Sequence, residues 1–394
     1  MKIERYSLLK LFVSVAVLFA VLSQEPNYRN ILPLDLLCST AWMFVAVYMC
    51  IVPLRMKLHI NAVFRLFVVQ IAVYIILTSI KAAVYETPLL IGITDFFPIP
   101  LLVYCVAFNY SAVHPVNMED GFQMVAWIYS FAAAVLAISC IMSSGMGLND
   151  WMNTQIYIYG VGKNAIGQVL GAGILISFFY LNKDTKMKLI LKNVFFVLMI
   201  SGLVFVQCRS VLLGLVIVFA LWFIFVSKLG EKKHYVVSAV VVVAIIVVLS
   251  NNQIVSIIEK SLFLDKYKGQ GLNSFSSGRI HQWKEGILAF WSDPLLGNSY
   301  YVDNFYINVL ANNGIIVAIF RTALFWWVAY QNITCKDTNK EFRNLIISIT
   351  MLELIVSLFE AFPPYGPGVA TMMFWFLSGI CHFKNSYYGV EQYE

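Results

Sequence analysis

In the stretch Val302 to Ile315, VDNFYINVLANNGI, an Asp-Asn pair (Asp303, Asn304) and an Asn-Asn pair (Asn312, Asn313) stand at the mouth of an otherwise apolar segment. A carboxylate partly buried at such a mouth has its pKa raised toward neutrality and suits proton transfer. Aspartate is equally well suited to cap a helix. His281 is the second candidate for proton transfer, because an imidazole titrates near neutrality; the plainer reading is a solvated loop histidine. Arg209 and Arg279 carry permanently charged planar forks that match phosphate oxygens. Arg209 sits between two apolar runs with almost no loop around it, where a guanidinium costs desolvation unless an anion or acid faces it. Snorkelling to the interface is its alternative. Arg279 lies in a polar loop that needs no special partner. Glu353 and Glu360 fall two turns apart on one helical face, and Glu360 is placed either to pair with an outer arginine or to contact a sugar. Arg321, inside an apolar run, reads as structural, paired with an acid or snorkelling.

Positioning these groups is a task for a membrane scaffold. The 394 residues are 60% hydrophobic and 12% charged, with a mean hydropathy of +0.78, which excludes an ordinary soluble globule. The net charge of +6 is best read as loop topology rather than a nucleic-acid footprint. The seven cysteines (Cys38, Cys50, Cys105, Cys140, Cys208, Cys335, Cys381) lie mostly inside apolar runs without metal-ligand spacing. They read as small core residues, so neither a disulfide framework nor a metal or other cofactor is expected.

A hydrocarbon core of about 30 Å takes roughly 20 apolar residues per helix. That window predicts about twelve spans: 7–23, 31–53, 62–80, 89–108, 122–142, 164–181, 190–207, 210–227, 235–250, 310–331, 344–360 and 368–383. The first is read as a retained anchor rather than a cleaved signal. Most of the 27 lysines and arginines then fall on one side if both termini are cytoplasmic. The fold class expected is an all-α polytopic integral membrane protein, divided into spans 1–9 (1–250), one large outer loop (251–304) and spans 10–12 with a cytoplasmic C-terminus (305–394).

The outer loop runs about 50 residues, and loops of that length are functional or disordered. Two parts have helical apolar spacing, NNQIVSIIEKSLF and GRIHQWKEGILAFW, the second with Ile280, Trp283, Ile287 and Trp291 along one face. Such a helix can lie in the headgroup region with its aromatic side down. DPLLGN, with Pro294 and Gly297, ends it and returns the chain to the membrane. In the returning segment, Asn312, Asn313 and Gly314 are expected to break or turn the helix.

The order SSGR (Ser276 to Arg279), Trp283, SDPLLGN (Ser292 to Asn298) and DNFYINVLANNG (Asp303 to Gly314) resembles the outer-loop signature of the O-antigen polymerase (Wzy-like) and O-antigen ligase superfamily. GVGKNAIGQVL (Gly160 to Leu170) is similar to that family's Gly-Lys-Asn approach to a central span. QCRSVLLGL (Gln207 to Leu215) is similar to its Ser-Arg-x-x-Leu-Leu-Gly turn, with Cys208 where serine is common. The likeness covers residues 160–330 and elsewhere only the number of spans. In the ligase branch the returning segment begins with a histidine, then ten residues, then a glycine; here the spacing to Gly314 holds, but Asp303 replaces the histidine. The departure favours a polymerase over a ligase.

The resemblance implies a GT-C-like membrane glycosyltransferase of a bacterial inner membrane, with its active site facing the periplasm. A growing glycan on undecaprenyl pyrophosphate moves, with inversion and without metal, to the non-reducing sugar of an incoming lipid-linked repeat unit. It also implies work alongside a chain-length regulator and a flippase. Cations must hold the lipid pyrophosphate as it leaves, and a base must take the acceptor's proton. On that basis Arg209, Arg279, Asn304 and Glu360 are the expected substrate-binding residues, and Asp303 or His281 the expected base. The alternatives are an O-antigen ligase, a capsule or exopolysaccharide polymerase, and a lipid-linked oligosaccharide flippase. A transporter favours inverted repeats, and the sequence shows no internal repeat.

Overall fold

The structure, a computed structural model, describes residues 5–24, 62–86, 98–113, 118–143, 163–225, 278–335, 339–365 and 371–391. Among the described residues the chain is helical throughout, without strands. The helices are α1 (Arg5–Leu22), α2 (Ala62–Tyr85), α3 (Pro98–Val113), α4 (Met118–Ser143), α5 (Lys163–Phe179), α6 (Lys186–Val206), α7 (Arg209–Phe225), α8 (Arg279–Ser292), α9 (Phe305–Ile333), α10 (Lys340–Val356) and α11 (Met372–Glu391). All but α8 fall on segments predicted to span. Predicted spans 31–53 and 235–250, and the first amphipathic stretch of the outer loop, lie outside the described residues. Among the described residues four helices are long and apolar enough to cross a membrane: α2, the Phe122–Met142 part of α4, α6 and α9. The protein is a membrane-embedded helical bundle.

Small residues set how closely these helices approach, as they must where lipid offers no hydrophobic drive between helices. A side chain at Gly202 on α6 would meet the Ala137 backbone of α4 at 2.9 Å, and one at Gly379 on α11 would press on the Tyr104 carbonyl of α3 at 2.5 Å. Polar knots add direction. The Asn332 amide of α9 donates to Thr350 Oγ1 on α10 (3.1 Å) and Ser378 Oγ on α11 (2.9 Å).

Three local devices place the functional end. First, α6 closes on Gln207, whose left-handed backbone (φ 55°, ψ 39°) turns its N–H back onto the Leu203 and Val204 carbonyls. The chain reverses within two residues, so α7 begins at Arg209. Second, α10 ends at Val356, earlier than the predicted 360, which leaves Glu360 in the turn beyond the helix.

Third, α9 is broken at Gly314 (φ 79°, ψ 174°), as ANNG predicted. A membrane helix tolerates such a break only if the freed backbone groups find partners. DPLLGN supplies them. Ile315 N–H donates to the Pro294 carbonyl (2.8 Å), and Asn298 N–H donates to the Ala311 carbonyl (2.7 Å). Lys81 of α2 donates to the Asn312 carbonyl (2.6 Å). Gly297, also at positive φ (74°), lies directly against the Asn312–Asn313 peptide. Asp293 shapes this turn through the Leu296 N–H (3.1 Å) and accepts from the Tyr85 hydroxyl.

Candidate functional site

The starts of α5, α7 and α8 and the turn after α10 come together at one end of the bundle, and each brings a polar side chain. At the centre is Glu360, which is buried. Its Oε1 accepts from Arg279 Nη2 (3.2 Å) and from Ser210 Oγ (2.9 Å). Its Oε2 accepts from Asn164 Nδ2. Lys163 lies within electrostatic range of Glu360, Arg209 and Arg279. Burial pushes the Glu360 carboxyl up; Arg279 and the Ser210 hydroxyl pull it down, the nearby Asp303 charge raises it, and Asn164 lowers it.

Each of α5, α7 and α8 begins with a basic residue, namely Lys163, Arg209 and Arg279. A cation at a helix N-terminus opposes the helix dipole, and the unbonded N–H groups there add further positive potential. Three such ends around one buried carboxylate make a cation-rich cluster, and helix starts carrying basic side chains are suited to hold phosphate groups. Of the two roles left open for Glu360, pairing with an arginine, Arg279, is the one the structure shows.

The Cys208 turn packs this cluster tightly. Its thiol lies 3.5 Å from Ser210 Oγ and 3.8 Å from Asn164 Oδ1, and only a glycine at 167 leaves room for it. Burial pushes the thiol up to about 11, so Cys208 is a neutral packing group where the resembled family has serine.

Helix α8 is amphipathic with two different apolar faces. Trp283 and Gly286 face inward with Arg279: the Trp283 indole donates to the Asp303 carbonyl (3.1 Å), and a side chain at Gly286 would strike Val302. Ile280, Ile287, Leu288 and Trp291 form the exposed stripe. The expected single face of Ile280, Trp283, Ile287 and Trp291 is thus split, with Trp283 turned toward the site. His281 is exposed. It lies two residues from Arg279, about 200° around the helix, so α8 does not bring it to Glu360.

In the return segment the cap falls on Asn304 rather than Asp303. Asn304 Oδ1 accepts from Ile307 N–H (3.0 Å), and its amide donates to the Leu358 carbonyl (2.8 Å). Phe305 N–H donates to the Ser357 carbonyl (2.9 Å). Expected as a substrate contact, Asn304 is instead buried with both ends of its amide engaged by backbone. It ties the start of α9 to the turn that carries Glu360. Relieved of capping, the half-buried Asp303 accepts from the Tyr301 hydroxyl (2.9 Å) and stays within electrostatic range of Glu360. Burial, and then the Asp303 charge, push the Tyr301 phenol up, so it stays a proton donor.

Arg321 does not snorkel. It is buried, with its guanidinium 5.1 Å from the Tyr74 ring centre and 5.8 Å from that of Tyr365, and it donates to Asn313 Oδ1 (3.3 Å). Glu353 is buried in α10, within electrostatic range of Tyr129 on α4. Among the described residues no group of His, Cys, Asp or Glu is arranged to hold a metal ion.

Sequence reasoning assigned no role to Lys163, Asn164 or Ser210. All three sit inside the two upstream motifs, as the Lys-Asn of GVGKNAIG and the Ser of QCRS. The signal available was a polar pair opening an otherwise apolar run in each motif. No protein-family model matches the chain, and no curated protein matches it.

Proposed function

We propose that this protein polymerises lipid-linked oligosaccharide repeat units, as an O-antigen polymerase of a bacterial inner membrane. One observation carries the reading: the starts of three helices, each opened by a cation (Lys163, Arg209, Arg279), converge on the buried Glu360 carboxylate through Asn164, Ser210 and Arg279 at one end of a membrane bundle. A polyanion presented at a membrane surface is what such a cluster suits, and a lipid pyrophosphate is that chemistry. The order of motifs along residues 160–330 supports the same assignment.

In this reaction the acceptor hydroxyl oxygen attacks the anomeric carbon of the growing glycan on the side opposite its pyrophosphate. The C–O bond to pyrophosphate breaks, and undecaprenyl pyrophosphate departs with the bonding electrons. Lys163, Arg209 and Arg279 hold the negative charge that develops on it. A carboxylate takes the hydroxyl proton; by sequence Asp303 is the first candidate. The cluster faces the periplasm, both termini are cytoplasmic, and a flippase and a chain-length regulator are the expected partners. The exposed stripe of α8 rests on the outer leaflet and holds Arg279 at headgroup level.

A surface-glycan ladder tests this in a deletion strain. Deletion leaves a core carrying a single repeat unit, and wild-type protein restores the ladder. Arg209→Ala and Asp303→Ala fail to restore it at normal membrane level, whereas His281→Ala restores it. A deletion strain with no repeat units on the core points instead to a ligase or flippase.

A further inference from the structure

Glu360 uses the donors that a phosphate group would need. Arg279 Nη2 and Ser210 Oγ converge on the same carboxylate oxygen, Oε1, from α8 and α7. Asn164 holds the second oxygen from α5. The carboxylate is a planar anion with two oxygens, held among three helix starts opened by basic residues, as a phosphate would be. It is carried on a turn past the end of α10 rather than within a helix.

We propose that Glu360 is a placeholder for the lipid pyrophosphate and, once displaced by it, the base of the transfer reaction. The inference rests on the lipid-pyrophosphate reading above, and it moves the base role from Asp303 to Glu360.

The chemistry follows from what changes around the carboxylate. The charged and polar groups facing it are Lys163 and Asn164 from α5, Cys208 and Ser210 from the α6–α7 turn and α7, Arg279 from α8, and Tyr301 and Asp303 from the return segment. Burial raises the Glu360 carboxyl, and Arg279, Ser210 and Asn164 hold back part of that rise. An arriving pyrophosphate takes Arg279 and Ser210 and sets its own negative charge beside Glu360. Both changes make the carboxylate more basic. Basicity therefore rises further when donor substrate binds. The carboxylate then accepts the acceptor's hydroxyl proton as the oxygen forms its bond to the anomeric carbon and the C–O bond to pyrophosphate breaks. The proton is later released to water. Asp303 is a positioning residue in this scheme: its charge keeps Glu360 basic, and Tyr301 holds it in place.

The test uses the full chain in lipid nanodiscs, titrated with farnesyl pyrophosphate and separately with inorganic pyrophosphate, read by tryptophan fluorescence. Wild type binds farnesyl pyrophosphate, and Arg279→Ala binds it more weakly. Glu360→Gln, which removes the competing charge, binds roughly tenfold more tightly or better, while its polymerisation turnover is lost. Glu360→Ala does the same, which covers the case of one variant failing to fold. A merely structural Glu360 would weaken binding and turnover together. If wild type binds and Arg279→Ala weakens it, but both Glu360 variants bind no tighter, the placeholder is overturned and the phosphate site stands. If wild type binds neither compound, both are overturned. Equal affinity for inorganic pyrophosphate identifies a free-phosphate site and overturns the lipid-linked form of the proposal.

Discussion

Arg279→Ala is expected to abolish glycan chain growth and to destabilise the protein by about 2 to 3 kcal/mol. Removing one partner of a fully buried ion pair leaves an uncompensated charge and costs about 3–5 kcal/mol. Here the Glu360 side chain is 8% exposed and that of Arg279 22%, so solvent screening takes back part of that cost. The loss of activity has a separate cause, because the guanidinium is one of the three cations assigned to the leaving pyrophosphate. A double-mutant cycle separates the two. Arg279→Ala combined with Glu360→Ala regains much of the stability, since no buried charge is orphaned, but regains no activity. Thermal unfolding in detergent and a glycan ladder at matched membrane level read the two effects. Recovery of both together would show that the pair is structural only.

Gly314→Ala is expected to cost about 3 kcal/mol or more and to remove most folded protein from the membrane. Its backbone, at φ 79° and ψ 174°, lies in a region open essentially to glycine alone, and holding any other residue there costs about 1–3 kcal/mol. A side chain would also strike the Leu295 carbonyl. That contact is with backbone, so no rotamer change relieves it, and α9 would separate from DPLLGN and lose the hydrogen bonds that satisfy its break. Gly278 is the internal comparison. It too has positive φ (82°), but nothing lies within 4 Å of an added side chain, so Gly278→Ala costs only about 1 kcal/mol. Membrane level and melting temperature of the two variants check this, and equal losses would contradict the role of the docked turn.

What the sequence showed of this site depended on whether the signal was local. The break in α9 was legible because Asn-Asn-Gly inside an apolar run is a local signal. Its partner was not, since DPLLGN reads as a helix stop and nothing in either stretch states that one fills the other. The cap was legible only as a pair: Asp303 and Asn304 are both good caps, and only the extended backbone at Asn304 (φ −169°, ψ 121°) decides between them. The distance between His281 and Arg279 was readable from helical spacing alone once Arg279 was placed on α8. The split of the α8 stripe was not, because Trp283 is drawn inward by a carbonyl on a different segment. Glu360 was legible as one half of a pair. The identity of its partners required the fold, since Asn164, Ser210 and Arg279 lie 196, 150 and 81 residues away.

The most direct test of the polymerase assignment is reconstitution. The purified chain in nanodiscs, given fluorescently labelled undecaprenyl-pyrophosphate-linked repeat units, should produce a ladder of lengthened glycans. One undecaprenyl pyrophosphate should be released for each unit added, and Arg209→Ala and Arg279→Ala should give neither product. Intact repeat units crossing a vesicle bilayer without any lengthening or pyrophosphate release would contradict the account and identify a transporter.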